Sequence, residues 1–472
     1  FFLVGLPDVA VRESHERIIS ALQVNGYKFP GNRVVVNMAP ADIRKEGSAY
    51  DLPLALAILA AAGQVDGSRL DQYLMMGELS LDGSLMPIKG VLPIAIKARE
   101  EGFKGFILPK QNVREAAVVN NLAVYGVENI KEVIEFIDGK RTLEATQVNT
   151  REEFYAHQEA FIFDFSDVRG QENVKRALEV AAAGGHNAIM IGAPGSGKSM
   201  LAKRLPSILP PFTLNESLET TKIHSVAGKL GGGTSLMTQR PFRSPHHSIS
   251  HVAMVGGGAY PQPGEISLAT NGILFLDELP EFNRSVLEVM RQPLEDRYIN
   301  ISRAKFSVNY PASFMLVASM NPCPCGYYGH PIKPCRCTPD SILRYRNKIS
   351  GPLLDRIDLV IEVPALSAAD LIQAKAGESS MEVLQRVMLA RDKQYARQGK
   401  LNSRLSPTDL DQIAAVSSEA KETLGSLLEK LSLSARSFHR ILRVARTLAD
   451  LADDHTVTPE HVFRAVAMRR AL

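Results

Sequence analysis

Apolar and polar residues alternate differently in successive stretches of the chain, and each pattern predicts a different kind of structure. Residues 1–145 mix helical runs such as VRESHERIISALQ with apolar strands such as RVVVNMA and GFKGFILP. From 167 to 365, strands alternate with helical segments, which is typical of a parallel sheet covered by helices. After PALSAAD the pattern is helical, and Thr458 before Pro459 marks a late helix start. These patterns predict an α+β domain over 1–145, a polar and then aromatic linker over 146–166, an α/β core over 167–365 and a helical domain over 366–472.

The sequence GAPGSGKS occupies residues 192–199, between an apolar strand and a predicted helix. Glycines let such a loop curl so that its backbone N–H groups face phosphate oxygens, and the helix N-terminus adds its positive end. In the motif G-x-x-x-x-G-K-[ST], Lys198 reaches the β- and γ-phosphates and the Ser199 hydroxyl holds Mg²⁺. We therefore predict a nucleoside triphosphate site whose loop comprises Gly192, Ala193, Pro194, Gly195, Ser196, Gly197, Lys198, Ser199 and Met200.

A second apolar strand, GILFLDE at 272–278, ends in two carboxylates. At the carboxyl end of a strand, Asp277 is suited to the Mg²⁺ shell. Glu278 is suited to orienting and deprotonating water as a general base. Together with the loop at 192–199, this strand indicates hydrolysis as well as binding.

The overall charge gives no sign of a polyelectrolyte partner. The chain has 472 residues, with 54 Lys and Arg against 51 Asp and Glu and a formal net charge of +3. Any nucleic-acid contact must therefore be local. The best apolar run, LPLALAILAAAG at 52–63, has about half the length that a membrane span needs. We expect a cytoplasmic protein with no membrane partner.

All four cysteines lie within CPCGYYGHPIKPCRC at 323–337. Four thiolates can complete a tetrahedral Zn²⁺ site, and the glycines and prolines between them let the loop fold around the ion. The C-x-C spacing departs from the commoner C-x₂-C, and four reduced thiols in a cytosolic loop are the alternative. Both interpretations stay open for Cys323, Cys325, Cys335 and Cys337.

Five motifs, taken in order, carry a resemblance to a known family. GAPGSGKS, FLDE, ASMNP (318–322), LLDRID (353–358) and SARSFHRILRVAR (434–446) resemble AAA+ ATPases of the magnesium-chelatase-like group. Within that group, RPFRSPHHSIS and GGGAYPQPGEISLATNGILFLDELPEF are similar to the ComM/YifB type. The resemblance implies an AAA+ P-loop core, ATP and Mg²⁺ as cofactors, a helical lid over 366–472 and a homo-hexameric ring.

The resemblance assigns roles to five further residues, which are Asn321 at sensor 1, Arg356 as the arginine finger, Arg436 at sensor 2, and Val168 and Gln171 beside the adenine. An arginine finger supplies a fork of donors to the γ-phosphate held by a neighbouring subunit, so it requires an oligomer. Arg440 and Arg443 follow Arg436 on the same helix face. Which arginine of this stripe meets the phosphate stays open.

Residues 1–145 resemble the proteolytic domain of Lon, most closely over 39–58 and 76–116. The nucleophile's place is taken by Ala49, with Ser48 one residue away. The place of the catalytic lysine is taken by Leu92, at the end of the run that begins with Lys89. A Ser–Lys dyad needs the amine within hydrogen-bond reach of the hydroxyl. We expect a catalytically inactive domain that serves assembly or substrate guidance.

Two interpretations of what ATP hydrolysis drives stay open. The ComM/YifB type implies a helicase-like motor that binds single-stranded or branched DNA and migrates branches in natural transformation and recombination. Basic residues in two loops suit a phosphate backbone, namely Arg303 and Lys305 near a predicted hairpin tip and Arg240 and Arg243 in RPFRSPHHSIS. A solvated charged loop is the alternative for each. The other interpretation is a protein-remodelling or metal-chelatase-type ATPase.

Overall fold

The structure is a computed structural model that describes residues 1–472 except 157–162, 232, 259–260, 304–305, 367–376, 432–434 and 470–472. Of residues 153, 156, 303, 306, 435 and 436 it describes the backbone alone. The chain forms two compact units, Phe1–Gln158 with Thr213–Thr238, and Glu159–Phe212 with Gln239–Leu472. The segment Thr213–Thr238 lies inside the predicted core by sequence but packs within the first unit. The domain limits read from the sequence stay predictions.

The first unit contains three small sheets within its described residues: a parallel pair, a parallel three-stranded sheet and an antiparallel pair. Its strands are β1 (Phe2–Val4), β2 (Val35–Asn37), β3 (Tyr73–Met75), β4 (Glu78–Leu79), β5 (Leu85–Met86), β6 (Gly105–Pro109) and β7 (Ala123–Val127). Its α-helices are Val9–Val24, Asp51–Ala61, Val91–Glu100, Val113–Ala116, Ile130–Ile137, Thr150–Ala156 and Leu214–Val226. The central strand β6 is buried at every residue.

The helix Leu214–Val226 shows how the inserted segment joins the first unit. Its start is fixed by a capping box, in which Thr213 and Glu216 satisfy each other's backbone N–H groups. Leu214, Leu218 and Leu236 then pack on the apolar core around the helix Val91–Glu100. Burial of these leucines explains why the segment belongs with this unit.

The second unit is built on a five-stranded parallel sheet with the order β16-β8-β15-β12-β9. The strands of this unit are β8 (Ala188–Ile191), β9 (Phe242–Arg243), β10 (Gly256–Gly257), β11 (Gln262–Pro263), β12 (Ile273–Leu276), β13 (Tyr298–Arg303), β14 (Phe306–Pro311), β15 (Met315–Met320) and β16 (Leu359–Glu362). The three central strands β8, β15 and β12 are buried throughout, as expected where helices cover both faces of a parallel sheet. The predicted α/β fold with a parallel-sheet core is confirmed.

Helices cover both faces of this sheet. The α-helices that the structure describes in this unit are Glu172–Gly184, Lys198–Arg204, His251–Val255, Glu265–Leu268, Arg284–Val289, Arg291–Asp296, Pro339–Arg346, Gly351–Leu354, Ser380–Gln398, Pro407–Gln412, Ser418–Lys430, Ala435–Ala452 and Pro459–Ala467. Side chains alternate along β8, so Ala188 and Met190 join the core with the long C-terminal helices, whereas Ile189 and Ile191 join the core with the β13–β14 hairpin. Among the helices that the structure describes, none is long and apolar enough to cross a membrane.

The predicted protease positions of the first unit have other partners than a Ser–Lys dyad requires. The Ser48 hydroxyl donates to the carboxylate of Glu78. Leu92, at the place of the catalytic lysine, is fully buried. The resemblance of this unit to Lon and its expected loss of proteolytic chemistry both stay predictions.

Candidate nucleotide site

The strand order brings three predicted site segments to one edge of the sheet. The loop 192–199 follows β8, Asp277 follows β12, and Asn321 follows β15, which lies between the other two. Neighbouring parallel strands end at the same edge, and ligands of such sheets bind outside the carboxyl ends of the strands. The fold therefore collects the side chains that the sequence separates.

The loop 192–197 makes a tight turn between β8 and the helix Lys198–Arg204. Gly195 and Gly197 have φ angles of 80° and 91°, in the left-handed region that favours glycine. Gly192 is needed for a different reason, because a Cβ there would lie 2.4 Å from the carbonyl oxygen of Val363. Pro194 and Gly195 are exposed, so the tip of the loop is open to a ligand.

Lys198 is buried, and the loop itself holds its ammonium group. Nζ donates to the carbonyl oxygens of Gly192 at 2.7 Å and Ala193 at 3.0 Å, and to Asn321 Oδ1 at 3.3 Å. Burial lowers the pKa of Lys198, and the charges of Asp277 and Glu278 oppose this shift. All three acceptors are neutral, so a phosphate oxygen that replaced one would form a stronger, charge-assisted bond.

The two groups predicted to hold Mg²⁺ are in direct contact. Ser199 Oγ donates to Asp277 Oδ2 at 2.7 Å, and the Ser319 hydroxyl donates to the other carboxylate oxygen. Mg²⁺ takes oxygen ligands, keeps several waters and is usually held by one or two protein groups plus phosphates. A hydroxyl and a carboxylate beside a phosphate-binding loop fit that donor set.

Glu278 lies directly after Asp277 but faces a wetter environment. Its backbone adopts a left-handed conformation with φ of 54°, and its side chain is 57% exposed. Its carboxylate lies 3.8 Å from Nδ1 of His247. The His247 ring packs on His246, with centroids 4.0 Å apart, and on the edge of Phe282. A solvent-accessible carboxylate beside the phosphate loop is able to take a proton from water.

The residues expected beside the adenine differ in accessibility. Gln171 has a left-handed backbone, and its amide nitrogen donates to the carbonyl oxygens of Ser196 at 2.9 Å and Pro364 at 3.2 Å. Met200 is 39% exposed beside the loop. Val168 is 1% exposed and packs in the apolar core, so its side chain presents no surface to a base in this conformation.

Arg356, the predicted arginine finger, is held within its own chain. Its Nη2 lies 2.6 Å from Glu295 Oε1, and its other donors bind the carbonyl oxygens of Arg291 at 3.0 Å and Pro352 at 2.7 Å. The flanking Asp358 instead pairs with Arg440, whose Nη1 lies 2.7 Å from its Oδ1. None of these partners belongs to the loop 192–199, and the role of Arg356 as an arginine finger stays a prediction.

The arginine stripe of the helix Ala435–Ala452 contributes to a cavity. The side chain of Arg436 lies outside the described part of the structure. Arg440 and Arg443 line a cavity of about 460 Å³ together with Arg356. Burial lowers the pKa of Arg443, against the attraction of Asp358. Which of Arg436, Arg440 and Arg443 acts as the sensor-2 arginine therefore stays a prediction.

Four sulfur atoms meet in one cluster, and all lie within 4.8 Å of one another; they belong to Cys323, Cys325, Cys335 and Cys337. Cys323 is buried and the other three are half-buried. Backbone N–H groups face the sulfurs, with Tyr328 N 3.3 Å from Cys323 Sγ. N–H groups of Arg336 and Tyr327 lower the pKa of Cys325. For Cys335 and Cys337 a backbone N–H group also lowers the pKa, but burial and the neighbouring thiols outweigh it and raise the pKa of both. A set of four sulfurs with hydrogen-bond donors around it can hold a metal ion.

The predicted DNA residues of RPFRSPHHSIS use their donors on the protein. Arg240 donates to the carbonyl oxygens of Pro210 at 2.6 Å and Asn271 at 2.7 Å. Arg243 makes a bidentate pair with Glu265, with both distances 2.6 Å. Both arginines bind groups of the protein itself in this conformation, and their contact with DNA stays a prediction.

The hairpin expected around Arg303 is present. Strands β13 and β14 pair in antiparallel fashion from Tyr298 opposite Pro311 to Arg303 opposite Phe306, while Lys305 lies outside the described residues. Ile299 and Ile301 face the core. The opposite face is exposed and polar and carries Asn300, Ser302, Ser307 and Asn309.

Sequence reasoning missed three residues around the site. Ser319 lies two residues before Asn321 at the end of β15, so strand alternation was a usable signal for it. In the sequence, His247 is only one more basic residue of a loop, and its proximity to Glu278 depends on the fold. Glu295 belongs to no motif, and nothing in the sequence marks it as the partner of Arg356.

Family models match successive parts of the chain. The model described as "Subunit ChlI of Mg-chelatase" matches residues 1–112, "Magnesium chelatase, subunit ChlI" matches 164–371, and "Magnesium chelatase, subunit ChlI C-terminal" matches 377–469. Fold and site together therefore define a magnesium-chelatase-like AAA+ protein.

Full-length relatives narrow this class. YifB of Escherichia coli is 44% identical over 99% of this chain and 91% of its own length. Competence protein ComM of Haemophilus influenzae is 44% identical over 99% of this chain and 92% of its own. The magnesium-chelatase 38 kDa subunit of Rhodobacter capsulatus is 25% identical over 65% of this chain and 86% of its own. The chain belongs to the ComM/YifB family of magnesium-chelatase-like proteins.

Proposed function

We propose that the chain hydrolyses ATP at the carboxyl edge of its parallel sheet. The observation that carries this proposal is the buried ammonium of Lys198, held between loop carbonyls and Asn321 beside two carboxylates. Ser199 and Asp277 would hold Mg²⁺, which would supply positive charge to neutralise the phosphates. Glu278 takes a proton from the attacking water. Family membership supports the same activity.

We propose further that hydrolysis moves DNA. Similarity to the competence protein ComM supports a role in natural transformation, a process whose substrate is DNA. The β13–β14 hairpin supplies suitable chemistry, because amide and hydroxyl groups cover its exposed face and Arg303 and Lys305 lie at its tip in sequence. Side chains of this kind contact phosphate and sugar without reading sequence. The proposal includes single-stranded or branched DNA as the partner and the cytoplasm as the compartment.

We propose a homo-hexameric ring as the active form. The support is Arg356, which ends the helix-rich segment before β16 and makes its contacts away from the loop 192–199. An arginine finger raises turnover only when a neighbour's nucleotide reaches it. Head-to-tail contacts of identical subunits close into rings when the rotation permits.

A stimulation assay tests the DNA proposal. ATP turnover of the full chain is measured alone and with single-stranded, duplex and branched DNA, with Glu278→Gln as the blank that reports contaminating ATPases. We expect turnover to rise with single-stranded or branched DNA. Turnover that none of these DNAs changes, together with no DNA binding in a gel shift, contradicts a DNA motor.

A metal-chelatase-type or protein-remodelling ATPase is the second candidate. It is favoured by the descriptions of the matching family models and by the similarity to a magnesium-chelatase subunit. The same assay with a porphyrin and Mg²⁺, or with an unfolded protein, separates the candidates. Stimulation by one of these and not by DNA supports the second candidate.

We propose that the four cysteines hold one Zn²⁺. The support is the convergence of four sulfurs within 4.8 Å, since tetrahedral thiolate coordination is typical of structural zinc. Elemental analysis of protein purified without a metal-binding tag is expected to give about one zinc per chain. A content near zero with four freely titratable thiols contradicts the site.

A further inference from the structure

The loop that carries the cysteines touches the phosphate-binding loop at Gly326. The φ angle of Gly326 is +85°, and a Cβ built on it would lie 2.6 Å from Cδ and 2.7 Å from Cγ of Pro194. Real Cβ atoms do not approach other atoms this closely, because repulsion rises steeply below van der Waals contact. The backbone of Gly326 therefore lies directly on the Pro194 ring. Pro194 is the third residue of GAPGSGKS.

A second link joins the same two segments through the chain. Asn321 accepts a hydrogen bond from Lys198 Nζ at 3.3 Å. Cys323, two residues later, is fully buried and supplies one sulfur of the cluster. The cysteine loop thus begins at a residue that contacts the catalytic lysine, and it returns to the phosphate loop at Gly326.

The position of Gly326 depends on the two cysteines that precede it. Gly326 directly follows Cys325, and its N–H donates to the carbonyl oxygen of Cys323 at 3.0 Å. The sulfurs of Cys323 and Cys325 lie 3.4 Å apart. A metal ion bound to both would fix the backbone directly before Gly326, because metal–sulfur bonds have narrow distance limits.

We propose that metal binding at the four cysteines and ATP binding at the phosphate loop are coupled through the contact of Gly326 with Pro194. This proposal rests on the proposed function, because it requires that GAPGSGKS binds ATP and that the cysteines bind Zn²⁺. The bound metal holds Gly326 against Pro194, and this contact holds the loop in the conformation that admits the triphosphate. By linkage, ATP must tighten Zn²⁺ binding by the same factor by which Zn²⁺ tightens ATP binding.

The coupling is measured on the full chain in two metal states. Zinc is removed with a zinc-selective chelator, the chelator is dialysed away, and Mg²⁺ is supplied equally to both samples. The Kd for a fluorescent ATP analogue is then determined with and without re-added Zn²⁺. We expect the zinc-free protein to bind the analogue at least about 5-fold more weakly, the lower end of typical coupling between sites. Equal affinities in the two states overturn the proposal.

A matched pair of variants locates the coupling at the contact. Gly326→Ala adds a methyl group that displaces Pro194, so the Kd should rise and should no longer respond to zinc, while zinc content stays as in the unmodified chain. Gly329→Ala is the control, because Gly329 lies in the same loop, has a similar φ of +75° and has nothing within 4 Å of its Cβ position. It carries the same backbone strain without the contact and should behave like the unmodified chain. Identical effects of the two substitutions overturn the proposal.

A rescue variant separates the effect of this contact from general damage to the loop. Replacing Pro194 by Ala removes Cγ and Cδ, the two atoms that the new methyl group meets. The double variant Gly326→Ala, Pro194→Ala should therefore bind the analogue more tightly than Gly326→Ala alone. No recovery contradicts a steric origin.

The failures of the separate proposals are distinguishable in these data. A zinc-loaded chain that binds no ATP analogue overturns the nucleotide site as well as the coupling. A chain that binds the analogue but retains no zinc overturns the metal site and the coupling. A chain that binds both with independent affinities overturns the coupling alone.

Discussion

Lys198 and Glu278 lie close together but occupy opposite environments, and their substitutions should have different effects. Lys198 is buried, with three acceptors around its ammonium group. Lys198→Ala should weaken ATP binding, since the charge that meets the phosphates is removed. Glu278→Gln should leave ATP binding intact and lower turnover by about 10²- to 10⁴-fold, because only proton transfer from water is removed. Equilibrium binding of an ATP analogue and phosphate release at saturating ATP measure these effects separately.

Glu281→Gln is the control for this comparison. Glu281 is an exposed carboxylate near Glu278 that pairs with Lys348 at 3.2 Å, so its substitution should change neither binding nor turnover. Unchanged turnover in Glu278→Gln contradicts the general-base assignment. Unchanged ATP affinity in Lys198→Ala contradicts the role of the lysine.

Asp358 is a buried carboxylate whose charge the fold stabilises. It is 4% exposed and lies 2.7 Å from Arg440 Nη1 and 3.5 Å from His186 Nδ1. Burial raises the pKa of Asp358, but the nearby imidazole of His186 and the charge of Arg440 outweigh it, so the pKa lies below its usual value of 3.8. A lowered pKa means that the carboxylate stabilises the fold above about pH 4, and that this contribution is lost as the pH falls through the lowered pKa.

Asp358→Asn should therefore lower the free energy of unfolding near pH 7 by about 3–5 kcal/mol, because it breaks a buried pair and leaves Arg440 without its counter-charge. Thermal unfolding from pH 7 down to pH 3 tests the sign, since the gap between the variant and the unmodified chain should narrow below about pH 4. Asp411→Asn, at an exposed carboxylate of the same unit, is the control and should melt like the unmodified chain. A gap that stays constant across this pH range contradicts the assignment.

At the scale of elements, the sequence predicts the strands of the core better than the partners of its helices. Strands β8 and β12 are short apolar runs that end in motif residues, so both their type and their place at the site were readable. The helix Leu214–Val226 is equally readable from its capping residues. Its packing within the first unit was not, because Leu214 and Leu218 meet residues more than a hundred positions away. Periodicity identifies an apolar face but not what covers it.

The candidate site also contains some features that the sequence predicts and others that it does not. Lys198, Asp277 and Asn321 come together because their strands are neighbours in the sheet. The order of the motifs along the chain predicts this arrangement. The pairing of Arg356 with Glu295 and the burial of Val168 depend on side-chain packing that no local pattern encodes. Residues that lie at strand ends were therefore predictable, and residues defined by tertiary contacts were not.

The β13–β14 hairpin is the element on which the DNA proposal depends. Replacing Arg303 and Lys305 together by Glu should abolish stimulation of ATP turnover by DNA, because repulsion replaces attraction to the phosphates. Basal turnover should persist, since the nucleotide site is unchanged. The affinity for DNA should also depend less steeply on salt concentration, because the variant neutralises fewer phosphates and releases fewer counterions. Gel shifts at several salt concentrations and ATP turnover with and without DNA measure both effects.

A charge-matched control distinguishes the loss of a local DNA contact from the effect of a change in net charge. Lys421→Glu with Lys430→Glu reverses two charges at exposed positions of the helix Ser418–Lys430 and should leave the stimulation unchanged. If the hairpin variant binds DNA and is stimulated by DNA as well as this control is, the hairpin does not provide the DNA contact.

At the scale of the whole molecule, the contacts of Arg356 bear on assembly. In the single chain its guanidinium is bound by Glu295 and two carbonyl oxygens, so it must leave these partners to reach a neighbour's γ-phosphate. The Glu295 carboxylate is 58% exposed, whereas the Arg356 side chain is 12% exposed, so water screens this ion pair from one side only. In the proposed ring, Arg356 would exchange its partners within the chain for a phosphate held by another subunit.

This exchange predicts complementation between two inactive chains. Arg356→Ala removes the finger but keeps the phosphate loop, and Lys198→Ala removes the loop's charge but keeps the finger. Each chain alone should show ATP turnover reduced by about 10³-fold or more. Mixed rings should regain a fraction of the activity, because an interface between an intact loop and an intact finger contains every group the reaction needs.

Two different affinity tags establish that mixed rings form, and turnover is measured on the doubly purified sample. Turnover no higher than that of the single variants in verified mixed rings contradicts a finger acting between subunits, and Arg356 would then be a structural residue of its own chain.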